Sequence, residues 1–406
     1  MKQRVVITGL GVISSIGNSV EEFWKSIVEC RSGIAPLQRV DTSQIRFQNG
    51  AEVKNYQPLI FFSKKELEMY DLFTQFGLIA ARQAIKDSSI KWSDKLKNRT
   101  CVTTGTSTGG QGTQDSSHYE LYRENHTRIH PLTIPRIIPN AACSHIAMEF
   151  GFTGPAFTVS TACSSSNHAI GHAFWMVRNG LADVAVTGGS ETPFSYMSLK
   201  AWEAIRVISP DTCRPFSNNR PGMILGEGGA MLVLEKLEFA KKRGAKIYAE
   251  IIGFGMSSDA GHITRPEQKG AEKAMRMALE DADLNPEMMD YINAHGTGTA
   301  VNDAMETAAI KNIFGKHASK LAISSTKSLH GHALGAASAL EAIATSLALN
   351  YQIFPPTANY EELDKECDLD VVPNESRQGN INYALSNSFA FGGLNAVLAF
   401  KKWDGN

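Results

Sequence analysis

The chain has 406 residues, with 40 Lys and Arg against 41 Asp and Glu, a formal net charge of 40 − 41 = −1. That length exceeds one simple core and fits two fused halves of ordinary domain size. The near-zero charge gives no global case for a nucleic-acid partner or an anionic membrane surface.

In chain order, the opening run MKQRVVITGLGVISSIG alternates like a strand, and Gly9 and Gly11 interrupt its apolar stretch. It reads as a first core strand entering a turn, not as a signal peptide. Helical spacing follows at 19–28 and 73–87, with 46–65 between them reading as loop. A strand is predicted at 100–104. Segment 123–139, rich in proline and basic residues, reads as an extended connection whose apolar residues need burial. An extended run at 157–159 leads into helical spacing at 167–179. Strands predicted at 182–187, 230–234, 249–254, 291–294, 322–325, 381–386 and 396–400 then alternate with helices at 270–281, 303–314 and 333–350. The last helix is alanine-rich and carries Glu341, so it reads as a buried helix of a soluble protein; no apolar run reaches membrane-spanning length. This alternation implies an α/β protein with helix-covered sheets.

An internal echo divides the chain. VVITGLGVISSIG near the start is matched by EIIGFGMSSDAG at 250–261, and each half ends with a Gly-Gly turn before an apolar strand. Two similar halves are expected, 1–248 and 249–406, meeting near 246–250. The six cysteines, Cys30, Cys101, Cys143, Cys163, Cys213 and Cys367, are widely spaced with no C-x-x-C pair. They fit neither a zinc ribbon nor a disulfide framework, and imply a reducing, cytoplasmic setting.

Four stretches carry chemistry. In TVSTACSSSNHAIGHA (158–173), Cys163 sits where an extended run turns into a helix. Helix dipole and free N–H groups there favour a thiolate and an adjacent oxyanion, so a lowered thiol pKa is expected. Small neighbours would let a substrate carbonyl approach the backbone. An inert buried thiol fits this stretch equally well. In YINAHGTGT (291–299), His295 leaves a strand into a Gly/Thr loop, where Thr297 and Thr299 can hydrogen-bond a polar arm. A loop histidine without a role also fits. SSTKSLHGHALGAASALEA (324–342) places Lys327, His330 and His332 before a helix; no carboxylate or thiolate pattern completes a metal site around the two histidines. In SNSFAFGGLNAV (386–397), Phe389 and Phe391 precede a glycine pair, which suits a gate over a pocket or a tight turn with inward phenylalanines. One thiol with two histidines suits stabilising an enolate on a thioester, because two N–H donors can converge on the developing charge.

Together, TACSSS at Cys163, NAHGTGT at His295, STKSxxGH from Lys327 to His332, SNSFxFGG at Phe391 and RPFSNNRPGMILGEGGAMLVLE at 214–235 resemble the elongating type II β-ketoacyl-acyl-carrier-protein synthases over essentially the whole chain. The resemblance implies a thiolase-like fold of two similar halves in a five-layered α/β/α/β/α arrangement, acting as a homodimer or, alternatively, with a related subunit. It implies that Cys163 accepts the acyl group, that His295 and His332 promote decarboxylation of malonyl-carrier protein, and that Lys327 orders and charges the site. The N–H groups of Cys163 and Phe391 would form the oxyanion hole. Thr297 and Thr299 would touch the phosphopantetheine arm, while Thr108, Thr133, Trp202 and Phe389 would shape substrate binding. No cofactor is expected on the enzyme itself, since substrates ride on the phosphopantetheine of acyl-carrier protein. Lys64, Lys65, Arg128 and Arg206 would dock that acidic carrier. Some relatives hold a structural monovalent cation, whose position maps to Asn293, Ala294, Glu341, Ser386 and Asn387.

Departures from the pattern bear on specificity. Ala390 stands where a gate glycine is common, His330 and Leu394 where threonines are common, and Glu68 and Met69 where the family tends to be basic. Thr108 and Thr133 replace apolar or aromatic pocket residues, which predicts a more polar pocket for longer, unsaturated or functionalised chains. ETPFSYMSLKAWEAIRVISPDTCRPFS at 191–217 resembles ketosynthases of nodulation-factor acyl synthesis. The alternative activity is acyl transfer or hydrolysis through a Cys163 acyl-enzyme, which two retained histidines disfavour. A thiolase needs a second cysteine in the second half, and Cys367, in EELDKECDLD, reads as surface.

Overall fold

The computed structural model describes residues 2–405. Ten strands make its central framework: β1 Val5–Ser14, β2 Thr100–Gly105, β3 Ala156–Val159, β4 Val184–Glu191, β5 Gly228–Lys236, β6 Ala249–Ser258, β7 Tyr291–Asn293, β8 Ala322–Ser324, β9 Tyr383–Ala390 and β10 Leu394–Lys402. Their hydrogen-bonded order is β8-β7-β9-β10-β6-β1-β5-β4-β2-β3. Adding five to each label of the first half gives the second half, so β3-β2-β4-β5-β1 and β8-β7-β9-β10-β6 share one topology. In each half four strands run the same way and one, β5 or β10, runs against them. The halves join where Val5–Ile7 of β1 pairs with Ala249–Ile251 of β6.

Helices complete five layers. Helix α1 (Leu72–Ser88) covers the outer face of the first sheet, and α3 (Gln268–Asp281) and α4 (Ala300–Phe314) that of the second. Helices α2 (Ser165–Arg178) and α5 (Ala337–Tyr351) pack against each other between the two sheets. Every residue of α5 from Ala337 to Leu349 is buried, as expected of a helix apolar on all sides. Small residues let these central layers close: Ser166 donates to the Gly335 carbonyl, and the Asn167 N–H to Ser338 Oγ at 2.9 Å.

The repeated Gly-x-Gly has one physical cause in both halves. A β-carbon on Gly9 or Gly11 would lie 2.2 or 2.0 Å from the carbonyl oxygens of Ala84 and Ala80 in α1. On Gly253 or Gly255 it would lie 2.3 or 2.1 Å from those of Ala278 and Ala274 in α3. Each helix lies directly on its strand, and only glycine fits.

Several expectations are corrected. The helix predicted at 333–350 begins at Ala337, after a 3-10 turn at Leu334–Ala336. Segment 123–139 contains a short helix, Thr133–Ile137, and its Ile129 and Ile134 are exposed rather than buried. Segment 46–65, read as loop, contains the short helix Pro58–Phe61 and the start of another at Lys64. Cys367 is 1 % exposed, within the apolar core of the second half. Among the described residues no helix is long and apolar enough to cross a membrane, and all six cysteines are free.

Candidate active site

Cys163 lies in a 3-10 turn, Ala162–Ser164, that feeds directly into α2. Ala162 before it has φ 51°, a left-handed conformation that strains a non-glycine residue. Side chains hold this elbow: Ser165 Oγ donates to the Ala162 carbonyl at 2.6 Å, Ser164 Oγ to the Thr161 carbonyl at 2.9 Å, and Ser388 Oγ to the Cys163 carbonyl at 3.0 Å. Ser164, Ser165 and Ser388 are thus buried fastenings of the turn, while Ser160 before it is exposed.

The thiol also departs from the expected chemistry. Burial pushes the Cys163 pKa up to about 12, against the opposing pull of the Lys327 charge and of the N–H groups of Phe391 and Cys163 itself; nearby Glu191 pushes it further up. Desolvation outweighs the lysine charge and the two amides. The amides that act on the thiol are those of Phe391 and of Cys163 itself.

His295 sits beyond β7 on a turn pinned by the buried Glu306 carboxylate, which accepts the N–H of His295 at 2.9 Å and of Gly296 at 2.8 Å. His332 follows the short helix Lys327–His330. Its Nδ1 accepts the Leu334 N–H at 3.2 Å, so the neutral ring carries its proton on Nε2. The two rings meet edge to face, centroids 5.5 Å apart. Burial, then the Lys327 charge, then a neighbouring histidine (His332 for His295, His330 for His332) hold both well below the usual histidine range. They are neutral hydrogen-bonding groups. Lys327 is itself fully buried and pairs with Glu341 of α5, whose carboxyl burial pushes up to about 7 against the pull of Lys327.

One cavity of about 990 Å³ gathers Cys163, His295, His332, Thr297, Thr299 and the gate residues Phe389 and Phe391. Trp202 lines it too, its ring 6.0 Å from that of Phe391. Thr297 and Thr299 share a 2.8 Å hydroxyl contact on its wall. The gate turn is fastened to loop 259–267: the Gly392 N–H donates to the Ile263 carbonyl at 2.7 Å, and the Asp259 N–H to the Gly393 carbonyl at 2.9 Å. Ala390 ends β9 without a positive φ, so its β-carbon is unstrained in this conformation.

Other expected residues lie elsewhere. Lys327 stands behind the wall and reaches the site through its charge. Thr108 is not in the cavity wall, and its hydroxyl is spent on the buried Glu191 carboxylate at 2.9 Å. Thr133 donates to the His130 carbonyl at 2.7 Å and does not line this cavity. A more polar acyl pocket therefore finds no support from either threonine. Lys64, Lys65 and Arg128 are exposed but outside the cavity, whereas Arg206 lies exposed at its rim. His262 and Arg265, exposed on the loop latched to the gate, line the same mouth. Sequence reading missed both because they belong to no motif; the only signal was their nearness to the SSDAG turn.

Behind His295, the Asn293 side chain, Glu341 Oε2, Ser386 Oγ and Asn387 Oδ1 are buried without a hydrogen-bond partner. Four unpartnered oxygens with the Ala294 main chain beside them are a donor set that fits a hard monovalent cation.

Comparison with known proteins agrees with this geometry. Residues 2–240 match the Beta-ketoacyl synthase, N-terminal domain, and residues 248–361 the C-terminal domain of the same family. The chain belongs to the β-ketoacyl synthase family. It is 46 % identical over 402 residues to nodulation protein E of Rhizobium sp. (strain N33), covering 99 % of this chain and 100 % of that one. It is 42 % identical over 409 residues to 3-oxoacyl-[acyl-carrier-protein] synthase 2 of Staphylococcus aureus (strain N315), covering 99 % of both. Among solved structures, the ishigamide ketosynthase/chain length factor matches with TM-score 0.95 and 37 % identity over 99 % of this chain and 100 % of that one. Like other β-ketoacyl synthases, the chain is a condensing transferase of thiolase-like fold, joining two acyl thioesters through a new carbon–carbon bond.

Proposed function

We propose that this β-ketoacyl synthase condenses an acyl group held on Cys163 with malonyl-acyl-carrier protein, giving 3-oxoacyl-carrier protein and CO2 in fatty-acid or specialised lipid or polyketide chain elongation. The observation that carries the residue roles is the single cavity in which Cys163 meets two neutral histidines and two amide donors. Cys163 Sγ attacks the incoming thioester carbonyl; its proton passes to the departing carrier thiolate. The tetrahedral oxyanion lies against the N–H groups of Cys163 and Phe391. Malonyl-carrier protein then loses CO2, and its carbonyl becomes an enolate whose oxygen takes hydrogen bonds from His332 Nε2–H and His295. A neutral donor suits this step, since it needs no proton of its own to be lost. The enolate carbon attacks the acyl carbonyl, the new bond forms, and the Cys163 thiolate leaves and regains a proton from water.

Around this centre, Thr297 and Thr299 would take the pantetheine amides, and Trp202 and Phe389 would border the reacting chain. Arg206, with Arg265 and His262 at the same mouth, would receive the phosphodiester and the acidic carrier, with Lys64, Lys65 and Arg128 acting farther out. Asn293, Ala294, Glu341, Ser386 and Asn387 would hold a monovalent cation, which would supply fixed positive charge behind His295. Thr133 would act across a homodimer interface built on the edge strand β3. The division at 248/249 and a cytoplasmic setting belong to the same proposal, supported by the repeated strand order and the six free thiols.

Intact-protein mass spectrometry tests it. The enzyme is incubated with saturated and unsaturated acyl-carrier proteins, then with malonyl-carrier protein. Loading on Cys163 followed by a two-carbon extension is expected. Loading without extension would replace condensation by simple acyl transfer, and the chains that load define the pathway.

A further inference from the structure

We propose that His330 is a positioning residue for the condensation step, clamping the short turn that carries Lys327 so that His332 meets the reacting enolate. This rests on the role given above to His332.

His330 is fully buried, lies outside the cavity wall and, beyond its small effect on the His332 pKa, has no part in the chemistry described so far. Lys327–His330 is a single helical turn, too short to hold its own shape. The His330 ring spans that turn from end to end. Its Nδ1 lies 2.8 Å from the Gly331 carbonyl, which can only accept, so Nδ1 carries the proton. Its Nε2, left as an acceptor, lies 3.0 Å from Thr326 Oγ, whose hydroxyl donates. The carbonyl it grips belongs to the peptide bond that enters His332.

That peptide has little other freedom. Gly331 has φ 69° and ψ −179°, and a β-carbon there would lie 2.8 Å from Ala51 Cβ. Next along, the His332 N–H donates to the Ile224 carbonyl at 2.7 Å, and its carbonyl accepts the Gly226 N–H at 2.9 Å. His332 is thus fixed on its far side by the chain at 224–226 and on its near side by the His330 ring. Burial and the Lys327 charge push the His330 pKa down to about 3, so the neutral tautomer that makes both contacts persists across working pH. A threonine at this position would offer a single hydroxyl where the imidazole offers a nitrogen at each end of the turn.

The test separates the two half-reactions in the full-length protein. Acyl loading of Cys163 is read by intact mass, and condensation of pre-loaded enzyme by single-turnover release of 3-oxoacyl-carrier protein. His330→Ala is expected to slow condensation about ten- to a hundredfold while loading stays within about twofold. His330→Gln, whose amide N–H and carbonyl can take both partners, should recover most of the loss. Thr326→Val removes one contact without emptying the core, so it carries the test even if His330→Ala fails to fold, and it should slow condensation alone. Equal loss of loading and condensation, no loss in either, or a glutamine variant as slow as alanine would overturn the proposal. A parallel His332→Ala control keeps the readings apart. If that variant still condenses, the role of His332 is wrong; if it fails while His330→Ala and Thr326→Val behave as wild type, only the clamp is wrong.

Discussion

The thiol of Cys163 stands between opposed effects, and their relative size decides its chemistry. The Lys327 charge and two amide donors favour the thiolate, yet burial wins and the pKa rises to about 12. Alkylation of Cys163 by iodoacetamide, followed on its peptide by mass spectrometry, should therefore climb about tenfold per pH unit from 7 to 10 without a plateau. A plateau near neutral pH would mean that the lysine charge and the amides prevail after all. In the proposed cycle the histidines act later. His295→Ala and His332→Ala should each cut CO2 release from malonyl-carrier protein about 10²- to 10³-fold while acyl loading of Cys163 persists, as removal of an oxyanion donor does. Cys163 and His295 stood out in the sequence because each sits among small residues just past a strand, and His332 because it closes the STKSxxGH run. The thiol pKa was not, because desolvation depends on layers of chain far from 163 in sequence. Thr108 misled for a related reason: its hydroxyl answers to Glu191, 83 residues away.

Between elements, the couplings are steric and electrostatic. The Gly-x-Gly of β1 and of β6 was visible as a repeat, but its cause, a helix carbonyl about one bond length too close for any β-carbon, needed the structure. Gly11→Ala is expected to destabilise the fold by about 1–3 kcal/mol with little local relaxation, read as a lower midpoint in urea. The Lys327–Glu341 pair couples the catalytic turn to α5 and makes stability depend on pH. Burial raises the Glu341 pKa from 4.5 unfolded to about 7 folded, so the folded state binds the extra proton. Its contribution is full below pH 4.5 and lost as pH rises through 7, at most about 3 kcal/mol. Relative to wild type, Glu341→Gln should lose that slope between pH 4.5 and 7 in denaturant titrations; an unchanged slope would place the titration elsewhere. Helices Gln111–Tyr122 and Tyr196–Ile205 escaped sequence reading because each buries only two residues, leaving no apolar period to detect.

At the scale of the whole molecule, the alternation of elements and the echo between halves made the two-part α/β architecture legible, while the layering came from contacts between α2 and α5 that no local pattern announces. The surface poses the remaining question. Strand β3 ends the sheet, and its outer backbone edge has no partner strand among the described residues. Phe157 on it is 37 % exposed, and Tyr119, Tyr122 and Ile134 in neighbouring segments are exposed as well. A free edge with exposed apolar side chains is a liability in a monomer unless something covers it. A second copy, turned about a two-fold axis, can pair β3 with itself and extend the sheet across both chains. The same proposed arrangement would give Thr133, absent from its own chain's cavity, a role across the interface. Analytical ultracentrifugation should find the wild-type protein at twice the chain mass, and Phe157→Asp, which sets two like charges against each other near the axis, at the chain mass with reduced condensation. Wild-type protein that sediments as a single chain until a related subunit is added would replace the homodimer with a heterodimer, and the edge strand would then be the surface that subunit recognises.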